Sequence, residues 1–138
     1  MQQLLTTLLD TLFPPTQAAQ SVRATTTAQL RSRYSPLTRA ETTTLTTYHD
    51  PLIELLVKQN KYQNDTRAAE RLAQLVRFWL DEQPAPPVLL PVPLSRERQR
   101  ERGYNQTERI LRQLNAVEID ATILRRQRHT PPQSRLPR

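Results

Sequence analysis

The chain has 138 residues, one glycine, twelve prolines and no cysteine, with a formal charge of +7 and a pI near 10.7. That length suits one domain rather than two, and the lack of cysteine excludes disulfides and thiolate metal sites. The charge favours anionic partners such as nucleic acid, phosphorylated metabolites or acidic proteins, and does not choose among them.

Leu4, Leu5, Leu8, Leu9, Leu12 and Phe13 form the stripe of a short amphipathic helix, ended by Pro14-Pro15. Its flanks carry no basic residues, which makes it a packing helix and not a membrane anchor. Met1-Gln-Gln-Leu-Leu lacks the basic start of a signal peptide. No apolar run approaches the ~20 residues needed to span a bilayer, so a soluble, cytoplasmic chain without membrane contact is expected. Residues 17–47 are rich in Thr, Ala, Gln and Ser. The β-branched run Thr42-Thr43-Thr44 fits an edge strand, and a loose connector fits the low hydrophobicity equally well.

At Tyr48-His-Asp-Pro-Leu-Ile-Glu-Leu-Leu a helix is expected, with Asp50 as N-cap, Pro51 in the first turn and Leu52, Leu55 and Leu56 on its apolar face. Lys61 to Asp65 reads as a turn. Asp65 or Thr66 then caps a helix lined by Leu72, Ala73, Val76, Trp79 and Leu80, broken at Pro84 to Pro87. Val88-Leu-Leu-Pro-Val92 reads as a short buried strand that ends or leaves its sheet at Pro91. Asn105, with Glu108 three residues on, is a variant capping box opening a helix that carries Ile110, Leu111 and Leu114. Val117 to Leu124 reads as another strand, and His129 to Arg138 as a Pro-rich unpaired tail. Strand, loop, helix and strand make the crossover unit of a parallel sheet.

The basic character belongs to the last third. Through residue 93 nine Lys/Arg face eight Asp/Glu, whereas residues 94–138 hold eleven Arg against five Asp/Glu. The stretch "PVPLSRERQRERGYNQ" (residues 91–106) places the one glycine, Gly103, at the end of the densest arginine run. One reading is an anion loop beyond a strand end: Gly103 permits positive φ and close backbone approach, while Arg96, Arg98, Arg100 and Arg102 supply charge-assisted hydrogen bonds. The other is a solvated helix with Glu97–Arg100 and Arg98–Glu101 pairs, stopped by Gly103. The residues alone favour the second. Metal binding is not indicated, because His49 and His129 lie far apart with no ligand spacing. No nucleophile motif, P-loop or Gly-rich dinucleotide loop is present.

"PVPLSRERQRERGYNQTERIL" (residues 91–111) resembles the signature segment of the ComF family, phosphoribosyltransferase-like proteins linked to bacterial competence. "LFPP" at residues 12–15, "YHDPLIELLVKQNKYQND" and "LRRQRHTPPQSRL" fall in the family's order, so the likeness spans most of the chain. It implies a type I phosphoribosyltransferase fold: a parallel α/β sheet with a mainly helical N-terminal hood, here partial. Residues 1–47 would form the N-terminal helix and hood region, and 48–138 an incomplete α/β domain. The resemblance places Leu94, Ser95 and Arg96 in the loop that meets pyrophosphate or phosphoribosyl pyrophosphate. Arg102, Gly103, Tyr104, Asn105 and Gln106 would support it, with Lys61 nearby. Magnesium would accompany the diphosphate.

Two departures qualify the likeness. The family's four-cysteine zinc module is replaced after "LFPP" by a segment without cysteine, so no zinc is expected. The acidic "DDV.TTG.T" segment that holds ribose and 5′-phosphate is absent, which marks a truncated product or a fragment and leaves transfer chemistry incomplete. The expected function is therefore diphosphate binding in DNA uptake or nucleotide metabolism, with a helicase-like competence protein as partner. The alternative is a basic module for single-stranded DNA or protein interaction.

Overall fold

A computed structural model describes residues 16–127. The N-terminal leucine stripe and the Pro-rich tail lie outside the described residues. Helix formation is set mostly by side-chain caps. Thr16 accepts from the Ala19 N–H at 3.2 Å to open α1 (Gln17–Ala24). Thr26 and Gln29 bond each other's backbone N–H groups at 3.2 and 2.9 Å, closing a capping box that opens α2 (Thr27–Arg31). These two helices occupy the polar segment that composition alone left between strand and connector. Its Thr run does form a strand: β1 (Leu37–Arg39) and β2 (Thr42–Thr44) pair antiparallel, with Leu37 opposite Thr44 and Arg39 opposite Thr42.

The two expected helices of the middle are present with their expected caps. Asp50 accepts from the Leu52 and Ile53 N–H groups and opens α3 (Pro51–Tyr62), with Pro51 in the first turn. Asp65 does the same for α4 (Thr66–Leu80) through the Arg67 and Ala68 N–H groups. α4 buries two sides. Ala68, Leu72 and Leu75 meet Val22, Leu30, Ile53 and Leu56 in one cluster, to which residues on both sides of position 47 contribute. Ala73 and Leu80 meet Leu111 and Leu114 in a second, with Leu89, Val117 and Ile119 packed against it. Leu30, Leu56 and Val22 are fully enclosed, and burial of side chains this size is worth about 2 kcal/mol each. Tyr34 rests edge-on against Phe78 with the Arg31 guanidinium over both rings, and donates its hydroxyl proton to Glu82 at 2.8 Å. Burial and that carboxylate push the Tyr34 phenol up to about 12.

The parallel α/β sheet of a phosphoribosyltransferase-like fold is not found. Among the described residues there are six helices and one two-stranded antiparallel sheet. The helices include α5 (Arg96–Arg102) and α6 (Gln106–Leu111). Where two parallel strands were expected, pairing shrinks to a single parallel bridge, Leu89 to Ile119. The Leu89 N–H donates to the Glu118 carbonyl at 2.9 Å, and the Asp120 N–H to the Leu89 carbonyl at 3.1 Å.

The reason lies in parity. Residues two apart on a strand face the same partner edge, and those flanking Leu89 at that spacing are Pro87, Pro91 and Pro93, none of which has an N–H to give. On the other segment the Asp120 carboxylate takes the Thr122 N–H and hydroxyl, both at 2.7 Å, and bends the chain away. Those hydrogen bonds hold the Asp120 carboxyl below the usual carboxylate range. The expected buried strand is thus covered on one side only: Leu89 packs inward and Pro91 is buried, while Val88, Leu90 and Val92 stay exposed.

Asp50 joins the two halves of the first cluster. Besides capping α3, its carboxylate takes the Arg33 Nε–H at 2.9 and 3.0 Å. Burial pushes this carboxyl up, but the Ile53 N–H, the Arg33 guanidinium and the Leu52 N–H together outweigh it and hold it below the ordinary range. A depressed carboxylate stabilises the fold above its unfolded pKa of about 4, and that contribution disappears as pH falls through the folded value. Asp50→Ala is therefore expected to cost about 1–2 kcal/mol near neutrality. Urea unfolding at a series of pH values should show wild type losing its advantage over the variant below about pH 4.

Candidate functional site: an arginine-walled cleft

The arginine run is a helix, not an open loop. Ser95, buried at the end of the proline-rich segment, accepts from the Arg98 N–H and caps α5. Arg96 and Arg100, four residues apart, fall on one face of it. Gly103 ends it in the left-handed region at φ 76°, its N–H donating to the Gln99 carbonyl at 2.9 Å. The glycine is there for the helix stop. No atom lies within 4 Å of the point a Cβ would occupy, so nothing approaches its bare face among the described residues.

The sharp turn at Gly103 sends the chain directly into α6. Asn105 caps α6 by accepting from the Thr107 and Glu108 N–H groups, and its Nδ2 donates to the Val92 carbonyl at 3.0 Å. The capping box is not closed by Glu108, whose carboxylate instead takes Arg112 Nε and a terminal guanidinium N–H through the same oxygen, Oε1. Three further ties lock α6 to the α3–α4 turn. The Tyr104 hydroxyl donates to the Asn60 carbonyl at 2.7 Å, and Asn60 Nδ2 to the Gln106 carbonyl at 3.2 Å. Arg109 bonds the Asn64 side chain and carbonyl and the Thr66 hydroxyl while lying 5.0 Å over the Tyr104 ring.

Between α5 and α6 lies an open cleft of about 560 Å³. Pro91, Pro93 and Leu94 form one side of it, following the carboxyl end of the bridged residue Leu89, and Ala121 follows Ile119 in the same way. Arg96, Gln99 and Arg100 form the α5 wall; Asn105 and Glu108 form the α6 wall. Neither Arg96 nor Arg100 has a hydrogen-bond or ion-pair partner among the described residues. The arrangement offers two guanidiniums without partners among the described residues, a proline-lined side, and one carboxylate opposite.

Of the residues expected at a diphosphate loop, Leu94, Arg96 and Asn105 line this cleft. Ser95 acts from below as the cap that starts the arginine helix. Arg102 and Gly103 stand apart from it. Arg102 donates to Gln106 Oε1 at 3.1 Å and lies 5.8 Å over the Tyr62 ring, with Lys61 over the same ring at 5.1 Å. Tyr104 and Gln106 are tied to α3 through Asn60. Arg100 enters the sequence reading only as one of four arginines of an anion loop and not among the residues the resemblance places there, and Glu108 does not enter it as a site residue. The helical spacing from Arg96 points to Arg100 once 96–102 is read as a helix. Glu108 was hidden by its reading as half of a capping box.

No protein-family model, curated protein or solved structure matches the chain. Among the described residues no three His, Cys, Asp or Glu side chains gather, and no helix is long and apolar enough to cross a membrane.

The left-handed cap gives a direct test. With space for a Cβ already open, Gly103→Ala pays only the backbone cost of positive φ, about 1 kcal/mol. Gly103→Asn should cost less, because Asn tolerates that conformation. Thermal unfolding should rank wild type, Asn and Ala in that order.

Proposed function

We propose that the protein is a ComF-like diphosphate-binding protein of DNA uptake or nucleotide metabolism, with pyrophosphate or phosphoribosyl pyrophosphate held in the α5–α6 cleft. The observation that carries this reading is the pair Arg96 and Arg100, side by side in the cleft and without side-chain partners among the described residues. Guanidiniums meet phosphate oxygens through paired, charge-assisted hydrogen bonds, and two of them a helical turn apart match two linked phosphoryl groups. The motif "PVPLSRERQRERGYNQ" supports it independently, since every cleft side chain except Glu108 and Ala121 comes from that stretch.

Magnesium would accompany such a ligand. The cleft holds one carboxylate, Glu108, so magnesium bound with the ligand would be held mainly by the ligand's own phosphate oxygens and water. Arg96 and Arg100 supply charge compensation from the protein side.

Isothermal titration with pyrophosphate should give saturable heats. Arg96→Gln and Arg100→Gln should each weaken binding by about tenfold or more, the worth of a charged hydrogen bond. Lys58→Gln, on a distant exposed i,i+4 pair with Glu54, should leave binding unchanged. Equal heats from wild type and the Arg96/Arg100 double variant would dismiss the site.

A second reading, single-stranded DNA binding, gains one specific observation. Tyr62 is 61% exposed, and its ring lies within reach of both Lys61 and Arg102, which adds an aromatic to the arginine region from a helix distant in sequence. Base stacking on such a ring is worth about 1–3 kcal/mol. Fluorescence anisotropy with a labelled oligonucleotide should show binding that weakens as salt rises and falls about tenfold in Tyr62→Ala. A flat signal at low salt removes this reading.

A further inference from the structure

We infer that Glu108 is the specificity-determining residue of the cleft: it accepts a hydrogen bond from a hydroxyl on the ligand, so that the site prefers a sugar diphosphate over inorganic diphosphate. This rests on the diphosphate reading above. The cleft is polarised. Its α5 wall presents Arg96 and Arg100, and its α6 wall presents one carboxylate. A purely anionic ligand would gain from the first wall and be repelled by the second. A carboxylate beside a phosphate site is tolerated when the ligand brings a donor to it.

The geometry leaves Glu108 able to accept. Both hydrogen bonds from Arg112 fall on Oε1, at 2.9 and 2.5 Å, and Oε2 takes part in neither. The Glu108 side chain keeps 26% of its surface open while Arg112, at 70%, lies out toward solvent. The Arg112 pair orients the carboxylate rather than consuming it. The Glu108 N–H bond to Asn105 Oδ1, and the Asn105 Nδ2 bond to the Val92 carbonyl, fix the backbone beneath it against the proline segment. A second hollow of about 330 Å³ adjoins the first and shares Gln99, Asn105 and Glu108 with it. Glu108 therefore lines both hollows, where a ligand hydroxyl beyond the phosphates would meet it.

Titration of wild type with pyrophosphate and, separately, with phosphoribosyl pyrophosphate reads the preference. Glu108→Gln should weaken phosphoribosyl pyrophosphate by about tenfold, as expected for a lost hydrogen bond to a charged acceptor, and leave pyrophosphate equal or tighter. Arg112→Gln removes the orienting pair but keeps the carboxylate, and should retain most of the preference. If Glu108→Gln shifts both ligands by the same factor, or if Arg112→Gln reproduces its full effect, Glu108 only holds α6 and the inference is overturned. Binding of both ligands that is insensitive to Glu108 but lost in the Arg96/Arg100 double variant leaves the diphosphate site standing without this role. No binding of either ligand by wild type sinks both.

Discussion

The fold depends on one helix being buried from two sides. α4 puts Leu72 and Leu75 into a cluster with α1, α2 and α3, and Ala73 and Leu80 into a second with α6 and the bridged segments. Small residues make this possible: Ala68, Ala69 and Ala73 are all buried and let neighbouring backbones come close. Because a single rigid element belongs to both clusters, α6 and the proline segment cannot shift relative to the α3–α4 turn without opening one of them. The polar ties of Tyr104 to Asn60 and of Arg109 to Asn64 and Thr66 then fix the direction in which α6 starts.

How much of this could be read from the chain varied with the kind of signal. Asp50-Pro51, Asp65 and Asn105 each mark a helix start, and each performs that role, because a short acceptor side chain before an apolar periodic run has few other uses. Residues 17–47 were opaque for the opposite reason. Their two short helices begin at threonines and bury little beyond Val22 and Leu30, so local composition outweighed a thin apolar signal. The error at Val88–Val92 was one of arithmetic rather than pattern. An apolar run between breakers looks like a strand, but the edge that would pair is the edge on which the prolines fall.

At the cleft, the coordinates replace the expected open loop with a helix. The motif's first residues reach the mouth formed by the two bridged segments, yet they do so through a capped helix. Gly103 was legible as special, and both of its readings predicted a positive φ. What separated them was whether anything approached its bare side, a question only coordinates answer. Arg98 and Arg102, equal to Arg96 and Arg100 in a one-dimensional count, fall outside the cleft because a helix turns by 100° per residue.

The prolines around Leu89 also bear on how the molecule behaves in a crowd. Val88, Leu90 and Val92 form an exposed, uncharged, aliphatic segment of the sort that templates fibrils by stacking identical strands. Stacking demands a donor at each step along both edges, and one edge here lacks it at Pro87, Pro91 and Pro93, with Leu89 alone able to donate among them. The greasy ribbon is thereby blunted against cross-β growth, because the imino residues that thin its own pairing deny a full ladder to any neighbour on that edge.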